Sequence, residues 1–372
     1  MRRSAGFDDI WPRVAEIVAD VRDRGDAALA DWARELGDAP PARVLVEPQQ
    51  LDAGVERALQ SLVETVTAVH AAERPHDVTV EPRPGVVVER RWLPLESVGI
   101  YVPAGRFPLP SSLIMAAAPA RAAGVRRICV VTPQPVPATI AAAELLGVDE
   151  LYAVGGAQAI AALAFGTETI AAVDKIVGPG NRWVTAAKVL VSAHVGVDLP
   201  AGPSEVVVVA DEGADASLCL ADLRAQAEHG PDSVAVLVTP SRALADAVGW
   251  ERTVVVDSLE AAVAWSNDFA PEHLELHVAE PDSLVPLIRN AGAVFLGAET
   301  SAVIGDYYAG SNHVLPTGGL ARSVGGLGLE AFLKPVEFVR VTREAARVAA
   351  EVAGPLARVE GLTAHGEALA AR

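Results

Sequence analysis

The sequence predicts an α/β protein with parallel sheets, in two blocks at roughly 101–203 and 204–300. Three observations predict it. From residue 86 onward, short β-branched runs alternate with Ala-rich segments of helical spacing. The runs are apolar at nearly every position, as strands covered by crossover helices on both faces must be. Glycine and proline punctuate the joins between runs and helices. Each block is too short for a full doubly wound sheet.

The elements follow in order. Ile10, Val14, Ile17, Val18 and Val21 recur at helical spacing, so an amphipathic helix opens the chain. A second helix is expected over about 55–70, and the Pro-rich stretch 74–85 is expected to be a linker or loop. Strands are predicted at 128–132, 151–154, 206–210, 234–238, 253–256 and 293–296. The helices between them are predicted at 139–146, 159–165, 181–191 and 216–228. Beyond Lys334 the Ala/Arg-rich tail is expected to be helical and outside both blocks. No repeat period and no low-complexity tract are present.

Of the 372 residues, 51% are hydrophobic, and 48 acidic against 30 basic side chains give a net charge of −18. That balance argues against nucleic acid or an anionic membrane as partner, since both need a basic face. No apolar run reaches the roughly 18 residues of a spanning helix. The first residues lack the apolar segment of a signal peptide, so a soluble, cytoplasmic protein is expected. Cys129 and Cys219 lie in apolar runs, where a buried structural role is expected and a thiolate nucleophile is not.

Several segments can carry chemistry. Gly155-Gly156-Ala157-Gln158 and Gly178-Pro179-Gly180-Asn181 each join a strand-like run to a helix. Such turns let backbone amides approach a phosphate, and they are equally compatible with plain tight turns. Gln226 and His229 lie three apart at a helix end, on one face; both side chains can bind a metal, although the spacing is common by chance. Asp306, His313 and His365 are further ligand types. Glu272-His273 pairs a carboxylate with an imidazole at the start of a strand, fit for proton transfer or for a solvated loop edge. His277, close by, has no evident purpose.

Together and in this order these segments resemble histidinol dehydrogenase. The resemblance runs from about Val98 to Leu333 and resumes near Glu360. It rests on Gly-Ile-Tyr101-Val-Pro-Ala-Gly, Val-Gly-Gly-Ala-Gln158, Asp-Lys-Ile-Val-Gly-Pro-Gly-Asn181 and Ala-Gly-Pro-Ser204-Glu-Val. Ala-Gln226-Ala-Glu-His229-Gly, Ala-Pro-Glu272-His273-Leu-Glu, Gly-Asp306-Tyr-Tyr-Ala-Gly-Ser-Asn-His313 and Glu360-Gly-Leu-Thr-Ala-His365 complete it.

The resemblance implies an oxidoreductase of histidine biosynthesis that takes L-histidinol to L-histidine through L-histidinaldehyde. It implies NAD and one Zn2+ per subunit as cofactors. Gln226, His229, Asp306 and His365 match the zinc ligands, which also contact substrate. Glu272 and His273 match the acid–base pair, with His273 touching substrate too. Ser204, His313 and Glu360 match substrate contacts, and Tyr101, Gln158 and Asn181 match NAD contacts.

The implied fold is two incomplete Rossmann-like domains with helical segments from both termini. The expected boundaries are 1–20 (N-terminal segment), 21–100 with 204–325 (zinc and acid–base residues), 101–203 (NAD contacts) and 326–372 (dimerisation). An intertwined homodimer is implied, with Glu360 and His365 serving the partner's site. Three departures stand out. Ala104 replaces a usual glycine, the stretch between Ala243 and Thr253 is short enough to lose a peripheral helix, and few residues follow His365. A related dehydrogenase of another primary alcohol, a non-catalytic descendant and a zinc hydrolase are the competing readings.

Overall fold

The structure, a computed structural model, describes residues 6–104, 108–148, 150–200 and 202–372. Gly105 and Ala201 of the quoted motifs, and the first five residues, lie outside the described residues.

In chain order the strands begin with β1 (Ala42–Val44), β2 (Val78–Arg83), β3 (Val86–Pro94), β4 (Ser97–Tyr101) and β5 (Arg127–Thr132). They continue with β6 (Glu150–Ala153), β7 (Lys175–Val177), β8 (Gly196–Val197), β9 (Glu205–Ala210) and β10 (Val234–Thr239). The last are β11 (Thr253–Val255), β12 (His273–His277), β13 (Ala293–Leu296) and β14 (Leu333–Val341). The helices are α1 (Trp11–Arg24), α2 (Asp26–Leu36), α3 (Ala53–Ala72), α4 (Pro110–Ala123), α5 (Pro137–Leu145), α6 (Gly156–Phe165) and α7 (Arg182–Val191). They end with α8 (Ala216–Glu228), α9 (Arg242–Val248), α10 (Leu259–Phe269), α11 (Ala302–Ile304), α12 (Arg343–Val359) and α13 (Thr363–Ala370).

The chain divides into two compact units, Met1–Glu73 with Leu95–Phe332, and Arg74–Pro94 with Leu333–Arg372. In the first unit, one sheet has the order β1-β6-β5-β4-β7-β8 and the other β11-β10-β9-β12-β13. Apart from the antiparallel edge strand β1, all pairs are parallel. Counting strands within each block, both sheets share the order 3-2-1-4-5, a Rossmann order without its sixth strand. The α/β expectation with two incomplete Rossmann-like sheets therefore holds, and the duplication is topological, with no counterpart as a sequence repeat.

Burial explains the layers. On the first sheet, Val14, Ile17, Val21, Leu29 and Trp32 of α1 and α2 share a core with Ile160 and Leu163 of α6 and with Ile176. Fully burying each such side chain stabilises by about 1.5–3 kcal/mol. The second sheet alternates: Val206 and Val208 face Cys219 and Leu223 of α8, while Val207, Val209, Leu274 and Leu276 face α10. Both cysteines are buried, and burial pushes the Cys129 thiol up to about 12, against a nucleophilic role. A two-turn helix, α9, lies in the stretch where a peripheral helix was expected to be lost.

The second unit corrects two expectations. Residues 74–85 are no simple linker, because β2 occupies 78–83 within an antiparallel sheet of order β14-β3-β2. The prolines misled: Pro82 falls where the register shifts between Val80 and Arg83, a place where a strand tolerates a missing N–H. The segment after Lys334 also begins as a strand, since Val336, Phe338, Val339 and Val341 favour an extended chain. Helix resumes at Arg343, capped by the Thr342 hydroxyl accepting from the Ala345 N–H.

Candidate active site

A cleft of about 850 Å³ opens within the first unit. One wall is the carboxyl edge of the first sheet: Pro103 after β4, and Pro179, Gly180 and Asn181 after β7. Those strands flank the point where strand order reverses, the usual ligand crevice of an open parallel sheet. The other wall is the amino edge of the second sheet, with Ser204 before β9, His229 after α8, and Glu272 and His273 where β12 begins. Asp306 and His313 close the cleft.

Glu205 orients the Glu272–His273 pair. Its backbone N–H donates to Glu272 Oε2 at 2.8 Å, and His273 Nδ1 lies 3.0 Å from its carbonyl oxygen. A carbonyl only accepts, so Nδ1 carries the hydrogen and the Nε2 lone pair is free. That Nε2 is buried and has no hydrogen-bond partner. Burial pushes His273 down to about 4, reinforced by nearby His229, so the ring is neutral at pH 7. Burial likewise raises Glu272 well above the usual carboxylate range, against the pull of the Glu205 N–H.

Asp306 sits in a single π-helical turn, Gly305–Ala309, and burial pushes its carboxyl up to about 6 while His229 pulls it down. His313 Nδ1 lies 3.6 Å from Asp306 Oδ1, and its Nε2 is 3.4 Å from the Ser112 hydroxyl. Burial holds His313 near 4, with His273 and His229 adding like charge. Gln226 is buried on the inward face of α8, with its amide nitrogen unpartnered. The amide's O and N are interchangeable in assignment, so Gln226 can turn its oxygen as a ligand. An amide, an imidazole and a carboxylate form a chemically sound oxygen/nitrogen set for zinc.

The three NAD-matched residues are placed differently. Asn181 lies at the cleft and caps α7, its Oδ1 accepting from Trp183 and Val184 N–H groups at 3.0 and 3.1 Å. Tyr101 and Gln158 are buried and are not among the residues lining the cleft. The Tyr101 hydroxyl accepts from the Gly156 N–H at 3.3 Å, and Gln158 donates to Asp38 at 3.3 Å while its Oε1 stays unpartnered. Gly178 is obligatory at its φ of +110°, because a Cβ there would meet the Tyr101 carbonyl. Its N–H donates to Asp198 at 2.6 Å and its carbonyl accepts from Lys188 at 3.0 Å, while Lys188 and Asp198 pair in the interior. A buried ion pair thus holds the turn before Asn181.

Glu360 and His365 belong to the second unit, where both are exposed, at the end of α12 and in α13. Sequence reasoning missed one cluster altogether. Asp222, Glu275 and His277 bring their ligand atoms within 4.8 Å of one another, so His277 faces two carboxylates. The available signals were the four-residue spacing of Asp222 and Gln226 on a helix and the alternation of 273, 275 and 277 along a strand.

A family model described as Histidinol dehydrogenase matches residues 1–372. The chain is 43% identical to a histidinol dehydrogenase of Rhizobium meliloti (strain 1021), covering 98% of this chain and 92% of that relative. It is 41% identical to one from Vibrio cholerae, with the same coverage of 98% and 92%. The crystal structure of histidinol dehydrogenase from Elizabethkingia anophelis superposes with a TM-score of 0.90 at 33% identity, over 100% of this chain and 93% of that one.

Proposed function

This chain belongs to the histidinol dehydrogenase family, and from that premise we propose a zinc-containing, NAD-dependent, two-step oxidation of L-histidinol to L-histidine through L-histidinaldehyde. As a family member it is an oxidoreductase of histidine biosynthesis. NAD, when bound, supplies the hydride acceptor, and zinc, when bound, supplies a Lewis acid able to hold the substrate's nitrogen donors. Gln226, His229 and Asp306, with His365 from a second copy, would hold the metal. Gln226, buried with its amide nitrogen unpartnered and three residues before the cleft-lining His229, supports that donor set. The crevice between the ends of β4 and β7, with Asn181 on its edge, suits the dinucleotide.

The carrying observation is the free Nε2 of neutral His273 in a cleft shared with His229 and Asp306. His273 Nε2 removes the hydroxyl proton as the carbinol carbon gives up its hydride. Glu272, with its proton affinity raised by burial, takes a proton from the water that attacks the aldehyde. Ser204, His313 and Glu360 contact the substrate. Binding in the cleft keeps the reactive aldehyde close to the groups that act on it next. In this reading 101–203 carries the NAD contacts and 204–325 the zinc and acid–base groups.

The same reading includes a homodimer with shared sites in the cytoplasm. Its support is α12, where Val348, Val352, Leu356 and Val359 lie exposed at helical spacing on the helix that leads to Glu360 and His365. No helix among the described residues is long and apolar enough to cross a membrane. The test is NADH formed from L-histidinol by the purified protein. About two NADH per histidine formed is expected, as a four-electron oxidation requires. One NADH with free aldehyde would reject the two-step reading, and turnover of a different alcohol alone would favour a related dehydrogenase.

A further inference from the structure

The side of β12 that carries His273 continues into a buried charge cluster. Alternate residues of a strand share a face, so His273, Glu275 and His277 point together, while Leu274 and Leu276 enter the opposite core. The covering helix is α8, which crosses from β9 to β10 and therefore runs antiparallel to β12. Its inward stripe presents Asp222 one turn before Gln226. Asp222 Oδ2 lies 3.2 Å from His277 Nε2, and Glu275 Oε2 lies 3.6 Å from the same nitrogen. The other oxygen of Glu275 accepts from the Ala302 N–H at 2.6 Å, four residues before Asp306.

We propose that Asp222, Glu275 and His277 are positioning residues that lock α8, β12 and the Ala302–Asp306 segment in one register, and so gather Gln226, His229 and Asp306 around the cleft. Apolar layers alone permit a helix to slide on a sheet, since one Val or Leu contact replaces another. Buried charges do not, because losing a partner strands an ion in low dielectric. Burial opposes protonation of His277, but Asp222, Cys219 and Glu275 outweigh it and push the ring up to about 11, while burial also raises the Glu275 carboxyl, so proton and charge are shared within one buried cluster. What the gathered groups bind rests on the zinc reading above; the registration itself does not.

The comparison is Asp222→Leu against Asp222→Asn, in the full-length protein. The leucine variant still leaves His277 paired with Glu275, and the asparagine keeps an acceptor for the ring. Three readouts apply: zinc affinity by chelator competition, steady-state kinetics, and amide hydrogen exchange. Asp222→Leu should weaken zinc about 10–100-fold, the usual effect of removing a ligand's supporting group. It should lower kcat about tenfold with the KM for NAD unchanged, and Asp222→Asn should recover most of both losses. Amides at 226–230 and 302–306 should exchange at least about tenfold faster, while the first sheet keeps its rates. A folded Asp222→Leu protein with wild-type zinc affinity and exchange would overturn the proposal, as would acceleration spread over the whole chain. A second zinc equivalent that disappears with Asp222 would overturn it too, by making the cluster a cation site. Should the leucine variant not fold, Asp222→Ser, which admits water, repeats the comparison. A wild type that binds no zinc and leaves histidinol untouched defeats the zinc reading, and the exchange pattern still decides the registration.

Discussion

His273 and Glu205 meet across parallel strands with the ring Nδ1 3.0 Å from the Glu205 carbonyl, which sets the tautomer of the histidine. The N–H of the same Glu205 holds the Glu272 carboxylate at 2.8 Å. One backbone residue at the start of β9 thus aims both members of the pair, His273 as the first residue of β12 and Glu272 just before it.

That shared anchor makes separable losses expected on substitution. His273→Asn removes the free Nε2 and should slow both oxidation steps by about 10²–10⁴-fold, the range for loss of a general base. Glu272→Gln keeps an acceptor for the Glu205 N–H and should spare alcohol oxidation more than aldehyde oxidation, which alone needs activated water. Single-turnover rates from L-histidinol and from L-histidinaldehyde measure the two steps. Small, equal losses in both variants would put the pair outside the chemistry.

Burial of His273 also has a sign in pH-dependent stability. Its folded value, about 4, lies below the ordinary 6.5, so the unfolded chain binds the proton first. The stability it contributes is complete above about pH 6.5 and is lost as pH falls toward 4. Asp306, raised to about 6, and the raised Glu272 take up protons in the folded state and oppose that loss. Comparing variants cancels their effect. Between pH 7.5 and 5 the chelator-treated wild type should lose about 2 kcal/mol more than His273→Asn, at 1.36 kcal/mol per pH unit. Urea unfolding at the two pH values measures this, and parallel losses would mean that the ring is not buried neutral.

A shared site predicts complementation. If His365 serves the partner's site, mixing inactive His365→Asn and His229→Asn proteins should restore activity after subunit exchange. One site of the heterodimer carries both lesions and the other none, so up to about half of normal dimer activity should return. NADH production and zinc content are read in heterodimers isolated through two different tags. Inactive heterodimers would show that His365 serves its own chain or binds no metal.

Much of the fold was written locally. The apolar runs 206–210 and 293–296 and the Ala-rich stretch 216–228 became β9, β13 and α8 nearly residue for residue; β9, buried at every position, shows the pattern that two-sided burial leaves. The ordered motifs named the family, and apolar neighbours foretold two buried cysteines. Local pattern failed at 74–85 and 333–341, where prolines hid one strand and an Ala/Arg-rich tail hid another. The meeting of Ser204, His229, Glu272, His273, Asp306 and His313 at one cleft was not local at all. It needed the crossover that lays α8 antiparallel to β12, and the strand order that sets the carboxyl edge of one sheet beside the amino edge of the other. The same packing gave His277 its carboxylates and His273 its tautomer. Periodicity along a chain records which side of an element is dry; which polar atoms then share that interior depends on how distant elements dock, and only the tertiary structure decided it.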